Sequence, residues 1–259
     1  MIVDVNVNLS RWPFRRLPHD ETPRLVEKLE QMHVEQAWVG SFDGLLHKDI
    51  AGVNTRLVDD CRRYGKGILV PFGSVNPTLP AWKDDLHRCH EVHSMRGIRL
   101  HPNYHGYGLD DPAFVELLDK AAQNGLIVQI AIMMEDERTQ HSLVQVPPVD
   151  ATPLLKLLRE RKSLKELRLV ILNGQRALRG EALSNLADAG NVYFDFAMQE
   201  GVGGLEKLSK HVPIDRILFG SYSPFFYFES AELKLRESRL GGLANQSLTT
   251  KNAEKLLKQ

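Results

Sequence analysis

The chain has 259 residues, 42% of them hydrophobic, and its 33 Lys+Arg balance 33 Asp+Glu. That neutrality, with no basic run, argues against nucleic acid or an anionic membrane surface as partner. No apolar run approaches the roughly 18 residues needed to span a bilayer, and no signal peptide is visible. The two cysteines, Cys61 and Cys89, offer neither metal-ligand spacing nor a disulfide framework, so the expectation is buried, reduced thiols in a cytoplasmic protein.

Val3, Val5 and Val7 alternate with Asp4, Asn6 and Asn8. This predicts a strand over 2–8 with the valines on one face and the polar residues on the other. A loop carrying Arg11, Trp12, Phe14, Arg15 and Arg16 follows, and Thr22-Pro23 caps a helix to about Met32. Further strands are expected over 36–41, 67–75, 96–102, 126–132, 167–172, 192–197 and 216–220. The intervening helices are expected over 50–64, 80–92, 111–124, 153–161, 180–189 and 204–211, with closing helices over 226–237 and 251–258. Asp111-Pro112 starts the fourth helix and Gly125 stops it. Eight strand–helix units imply parallel pairing, and in this length they imply closure into a single-domain (β/α)8 barrel over 1–259. A doubly wound open sheet is the alternative, but no Gly-x-Gly-x-x-Gly follows any strand.

Several segments together resemble the amidohydrolase-related barrels. They are Asp4-Val5-Asn6-Val7-Asn8, Gly97-Ile98-Arg99-Leu100-His101-Pro102, Asp111-Pro112-Ala113-Phe114, Gly125-Leu126-Ile127-Val128, Phe219-Gly220-Ser221 with Pro224, and Leu248 to Leu257. The resemblance covers most of the chain. It implies a divalent metal held at the ends of strands 1, 5, 6 and 8, but the implied positions depart from the family pattern. Asn6 and Asn8 stand where the family has histidines on strand 1, and Ala131 or a neighbour stands at the strand 5 position. Asn173 stands before Gly174 on strand 6, and Tyr222 stands at the position of the family's aspartate. Neutral amides and a phenol are poor zinc ligands, so no metal and no other cofactor is expected. The resemblance then implies a hydrolase-like protein, lactonase-like or decarboxylase-like if active, working on a small polar or anionic molecule. The alternative is a non-catalytic binding or scaffolding barrel, and a relocated metal site using Asp136, His141 or Asp195 is a third reading.

Barrels of this kind place their sites at the C-terminal ends of the strands. His101, Asp195, Asp136 and His141 are the proton-moving candidates, Asp136 with His141 as an acid–base pair. Asn6, Asn8 and Asn173 make a hydrogen-bonding floor, and Tyr222 and Tyr104 supply walls. Arg99 and Arg138 would bind an anion. Arg99 can equally fill a barrel layer beside a carboxylate such as Asp195, and Asp136 and Arg138 can equally be a solvated ion pair. Gln129, mid-strand, needs hydrogen-bond partners if it points inward. Trp12 and Phe14 would cover the mouth or join a subunit interface. Oligomeric state stays open, although barrels of this size commonly pair.

Overall fold

The computed structural model describes residues 1–258. One eight-stranded parallel sheet runs in chain order from β1 to β8. Its strands are β1 (Ile2–Leu9), β2 (Val34–Ser41), β3 (Leu69–Ser74), β4 (Gly97–Leu100), β5 (Ile127–Ala131), β6 (Leu169–Leu172), β7 (Val192–Asp195) and β8 (Ile217–Leu218). The last strand returns to the first: the Val5 N–H donates to the Phe219 carbonyl at 2.9 Å, and Asn8 N–H to the Ser223 carbonyl at 2.9 Å. The sheet is therefore nearly closed, as a (β/α)8 barrel.

Helices α1 (Thr22–Gln31), α2 (Ile50–Tyr64) and α3 (Trp82–His87) pack outside the first strands. The last continues as a π turn over Arg88–Val92. Then come α4 (Pro102–His105), α5 (Pro112–Gln123), α6 (Thr152–Glu160), α7 (Glu181–Ala189), α8 (Gly204–Leu208), α9 (Phe228–Glu237), α10 (Gly242–Gln246) and α11 (Asn252–Lys258). The amphipathic α2 occupies the residues expected of it. It buries Ile50, Val53, Leu57 and Val58, and Asp49 caps it by accepting from Gly52 N–H. Asp111 caps α5 through Ala113 N–H. At α1 the cap is Glu21 rather than Thr22, whose hydroxyl donates to Asp60.

Three apolar layers organise the interior. The outer one lies between sheet and helices and includes Val7, Leu9, Val39, Ile98, Ile130 and Ile171. A second fills the barrel: Val3, Val5, Trp38, Phe72, Val170, Tyr193 and Leu218, closed by Ala253 and Leu256 of α11. Trp38 and Phe72 stack at 4.9 Å. The third closes the mouth: Trp12, Phe42, Met133, Met134, Met198 and Tyr222.

The first strand departs from the expected alternation. Val3 and Val5 pack inside the barrel, whereas Val7 and Leu9 pack outside it. The register slips between Asp4 and Val7, where β1 advances three residues against two on β2. The cause is the Asp4 side chain: its Oδ1 accepts from the Asn6 N–H at 3.1 Å and from the Ser221 N–H at 3.0 Å. The carboxylate takes a backbone donor out of the ladder, and a bulge results. Strand β4 also ends earlier than expected, at Leu100, and α4 begins at Pro102. Strand β8 is two residues long: the Phe219 N–H leaves the ladder and donates to the Leu248 carbonyl at 3.0 Å, and pairing with β1 resumes only at the Val7–Ser223 bridge.

Candidate functional site

Two polar groups meet beneath the mouth. The first links β1, β6 and β7. Asn6 Nδ2 donates to Asn173 Oδ1 at 2.9 Å and to Asp195 Oδ2 at 2.7 Å. The Asn173 N–H donates to Asp195 Oδ1 at 2.8 Å, and Asn173 Nδ2 to the Met133 carbonyl at 3.0 Å. Gln175, absent from the expected set, donates its amide to the Asp195 carbonyl. Asn173 reaches this geometry through a positive φ of 57°, which asparagine tolerates. Tyr222 also has a positive φ, 59°, a costly conformation for an aromatic residue. Its hydroxyl donates to the Met134 carbonyl at 2.7 Å.

The second group surrounds Arg99. Its Nε donates to Gln129 Oε1 at 2.7 Å. Nη1 donates to the Val7 carbonyl at 2.7 Å and to Asn8 Oδ1 at 2.8 Å. Nη2 donates to the carbonyls of Val5 at 3.2 Å and Trp38 at 3.0 Å. A guanidinium has five N–H donors, and all five are engaged. The carboxylate partner expected in Asp195 is not among them, since no ion pair of Arg99 occurs among the described residues. Gln129 finds its remaining partner in the Val5 carbonyl, at 2.8 Å. Gly40 makes room for Arg99: a Cβ there would lie 2.8 Å from the arginine Cδ.

Burial governs the titration of these groups. It raises Asp4 to about 7, against the hydrogen bonds from Ser221 and Asn6, and raises Asp195 to about 6. Burial lowers Arg99 to about 10 and holds the Tyr222 phenol well above its ordinary value. Burial, then the nearby His105 and Arg99, push His101 well below the ordinary imidazole range, so the ring is neutral. Neither ring nitrogen of His101 has a partner, nor do Asp4 Oδ2 and Asn8 Nδ2.

The mouth is covered. Trp12 is 2% exposed, and its indole meets Phe14, Phe42, Tyr104 and Phe225 edge-on, the last at 5.0 Å between ring centres. Phe42 and Phe225 could have been suspected from their places just beyond β2 and β8. Outside this cover a cleft of about 940 Å³ lies between α9 and the loops after β5 and β7. Arg15, Arg138, Arg176, Phe225 and Lys234 line it, together with Asp136 and Glu200.

The remaining candidates lie in or near that outer cleft. Asp136 does not pair with His141. It accepts from Arg138 Nη2 at 2.6 Å and from Arg176 Nη1 at 2.6 Å, and these contacts hold its carboxyl well below the ordinary range. His141 lies over Phe14, with ring centres 6.4 Å apart, and accepts the Leu143 N–H. The candidate proton-moving residues are thus separated into a buried set and an exposed one. Arg176 is absent from the residues expected from the sequence; the run Asn173-Gly174-Gln175-Arg176 at the end of β6 is the signal that could have found it.

The donor set bears directly on the metal implied by the resemblance. Both Asp195 oxygens are taken by N–H donors, Asn8 Oδ1 by a guanidinium, and Asn173 Oδ1 by Asn6. No group of three His, Cys, Asp or Glu side chains placed to hold a metal occurs among the described residues. At the four implied strand ends the donor set is Asn6, Asn8, Ala131, Asn173 and Tyr222, with no imidazole and no carboxylate, which does not fit a divalent transition ion.

The amidohydrolase family model matches residues 15–258. Among solved structures, the fold is shared with 2,6-dihydroxybenzoate decarboxylase from Rhizobium, at 12% identity and a TM-score of 0.70, covering 100% of this chain and 99% of that one. It is also shared with a dihydroxybenzoic acid decarboxylase from Polaromonas sp. JS666 with bound manganese and 2-nitroresorcinol, at 12% identity and 0.73, covering 100% and 97%. A third is 4-oxalomesaconate hydratase from Rhodopseudomonas palustris, at 16% identity and 0.66, covering 100% and 96%. At such identities the likeness is one of fold. No curated protein matches the chain, and no helix among the described residues is long and apolar enough to cross a membrane.

Proposed function

We propose that this chain, which belongs to the amidohydrolase family, is a metal-independent barrel that binds a small anionic molecule at its mouth. The observation that carries this reading is the engagement of both Asp195 oxygens by neighbouring asparagines. Its two oxygens accept from Asn6 and Asn173 at 2.7 and 2.8 Å. A carboxylate so engaged is a structural cross-link between β1, β6 and β7. Swinging it away from these strands would leave two buried N–H donors unpaired, at about 1–3 kcal/mol each. The anionic character of the ligand rests on Arg99, a buried guanidinium held by neutral acceptors alone. A buried charge with no direct ion pair is costly; Asp4 and Asp195 act on Arg99 only at longer range, and an anion nearer to it offsets the cost.

An enzymatic reading, as a lactonase-like or decarboxylase-like member, has one observation in its favour. Asp4 and His101 are buried titratable groups with unpartnered atoms, the sort of groups that proton transfer uses. Two measurements on the purified chain separate the readings. Elemental analysis after growth with zinc and manganese is expected to give well below one ion per chain; a stoichiometric ion overturns the proposal. A screen over lactones and hydroxylated aromatic acids is expected to give no turnover. Turnover that His101→Ala or Asp195→Asn abolishes replaces the binding reading with the enzymatic one.

A further inference from the structure

A second polar cleft lies at the other end of the barrel, where the strands begin. Arg96, Arg168 and Arg216 stand immediately before β4, β6 and β8. The connections into β6, β7 and β8 bring Lys165, Glu166, Arg168, Gly190, Asn191 and Arg216 around a cavity of about 460 Å³. The apolar layer that fills the barrel, with Val170, Tyr193 and Leu218 in it, lies between this cavity and the mouth.

Neutral groups hold the two guanidiniums in place. Arg168 Nη1 donates to the Leu256 carbonyl of α11 at 2.7 Å, and Nη2 donates to the Gly125 carbonyl before β5. Arg216 Nη1 donates to Asn191 Oδ1 at 2.6 Å, and its guanidinium carbon lies 4.8 Å from the centre of the Tyr193 ring. A guanidinium has five N–H donors, so most of those on Arg168 and Arg216 stay unused. No ion pair of Lys165, Arg168 or Arg216 occurs among the described residues. Three cations thus face the single carboxylate of Glu166, and the walls of a cleft concentrate such a field. Burial, and then the nearby Arg96, lower the Arg168 guanidinium from its ordinary value, the direction that gathered like charges impose.

A phosphoryl group suits these donors better than a carboxylate does. It carries about two negative charges near neutral pH and three acceptor oxygens. Those oxygens point in three directions, so two guanidinium forks and an ammonium can share them. A carboxylate is planar and is filled by one fork. The cavity also has the volume of a small-molecule pocket, which runs from about 300 Å³ upward.

We propose that this cleft on the N-terminal face of the barrel binds the phosphoryl group of a small phosphorylated molecule, its oxygens accepting from Arg168, Arg216 and Lys165. The assignment is independent of what the mouth binds. Arg168 ties the site to the floor of the barrel, because the same guanidinium anchors α11 through Leu256 and the turn before β5 through Gly125.

The test titrates the full chain with inorganic phosphate and pyrophosphate, and with malonate as a dianion without phosphorus, at matched low ionic strength. Calorimetry reads affinity, and the backbone amide resonances of Gly190 and Asn191 read position. Pyrophosphate is expected to bind saturably at millimolar concentration or below and to shift Gly190 and Asn191, leaving Asn173 and Gly174 at the mouth in place. Malonate is expected to bind at least about tenfold more weakly. Arg216→Gln keeps an amide donor for Asn191 but removes a charged fork, and is expected to weaken pyrophosphate binding at least about tenfold. Lys165→Gln alters an exposed side chain, so its expected several-fold loss keeps the test decisive should Arg216→Gln fail to fold. The assignment is overturned if neither phosphate probe binds, if malonate binds as tightly, or if Gly190 and Asn191 do not shift. It is equally overturned if Lys165→Gln, or a folded Arg216→Gln, binds as the parent does.

Discussion

Asn6 donates its side-chain amide to Asp195 Oδ2 across 2.7 Å, joining β1 to β7 inside the barrel. Asp195 is fully buried and also caps the turn after β6 through the Asn173 N–H. Replacing it with asparagine turns one of two acceptors into a donor that faces a donor. Asp195→Asn is expected to destabilise the fold by about 1–3 kcal/mol, read as a lower midpoint in urea with an unchanged slope. An unchanged midpoint would mean that the cross-link is dispensable.

Arg99 makes the larger contribution. Lysine keeps the charge but has three donors on one atom and cannot reach five acceptors in a plane. Arg99→Lys would leave several of the carbonyls of Val5, Val7 and Trp38 and the Gln129 and Asn8 oxygens without donors. Each buried acceptor left without a donor costs about 1–3 kcal/mol, so a loss of at least about 2 kcal/mol is expected by chemical denaturation. A loss below about 1 kcal/mol would show that the barrel re-pairs these groups.

Much of the fold is legible in the sequence because β/α alternation is a signal repeated eight times. The α2 boundaries follow from an amphipathic stripe bounded by Asp49 and Gly65. The interior of β1 is not legible. Val3, Val5 and Val7 read as one face, and only the tertiary contact of Asp4 with Ser221 shows that a bulge divides them. The site divides in the same way. Asn6, Asn173 and Asp195 can be foreseen as inward polar residues at strand ends, but their bonding to one another cannot. The pairing of Asp136 with Arg138, two residues on, is legible as a local ion pair, whereas its second partner, Arg176, comes from the loop after β6 and the alternative pairing with His141 does not form. Long side chains on neighbouring loops meet across the mouth, and spacing along the chain does not record that.

The two thiols offer a check on packing. Cys89 is fully buried in the π turn after α3, and Cys61 is half-buried on α2; neither forms a disulfide. Burial pushes both up to about 12, so almost no thiolate exists at neutral pH. A thiol-reactive chromogenic disulfide is expected to leave Cys89 unmodified in the native state and to modify Cys61 slowly. Both should react once the chain is unfolded. Rapid native modification of Cys89 would mean that the α3 end opens.

Asp4 gives the pH dependence its sign. Its folded value is about 7 against an ordinary 3.8, because burial disfavours the carboxylate. A raised carboxyl binds its proton more tightly when folded, so its stabilising effect is complete below about 4 and is lost as pH rises to about 7. Each tenfold gain in proton affinity is worth about 1.4 kcal/mol, so the loss is on the order of 4 kcal/mol. Asp4→Asn keeps the oxygen that accepts from Asn6 and Ser221 and carries no charge at any pH. Relative to the parent it is expected to gain stability between pH 4.5 and 7.5, by on the order of 3 kcal/mol. Urea melts of both proteins at the two pH values measure this. Asp195, raised to about 6 by the same burial, adds a loss in both proteins; its charge also helps raise Asp4, so the difference reports Asp4 together with that coupling. Parallel pH dependences would mean that Asp4 keeps its charge in the folded barrel, stabilised by a partner that its free oxygen acquires in solution.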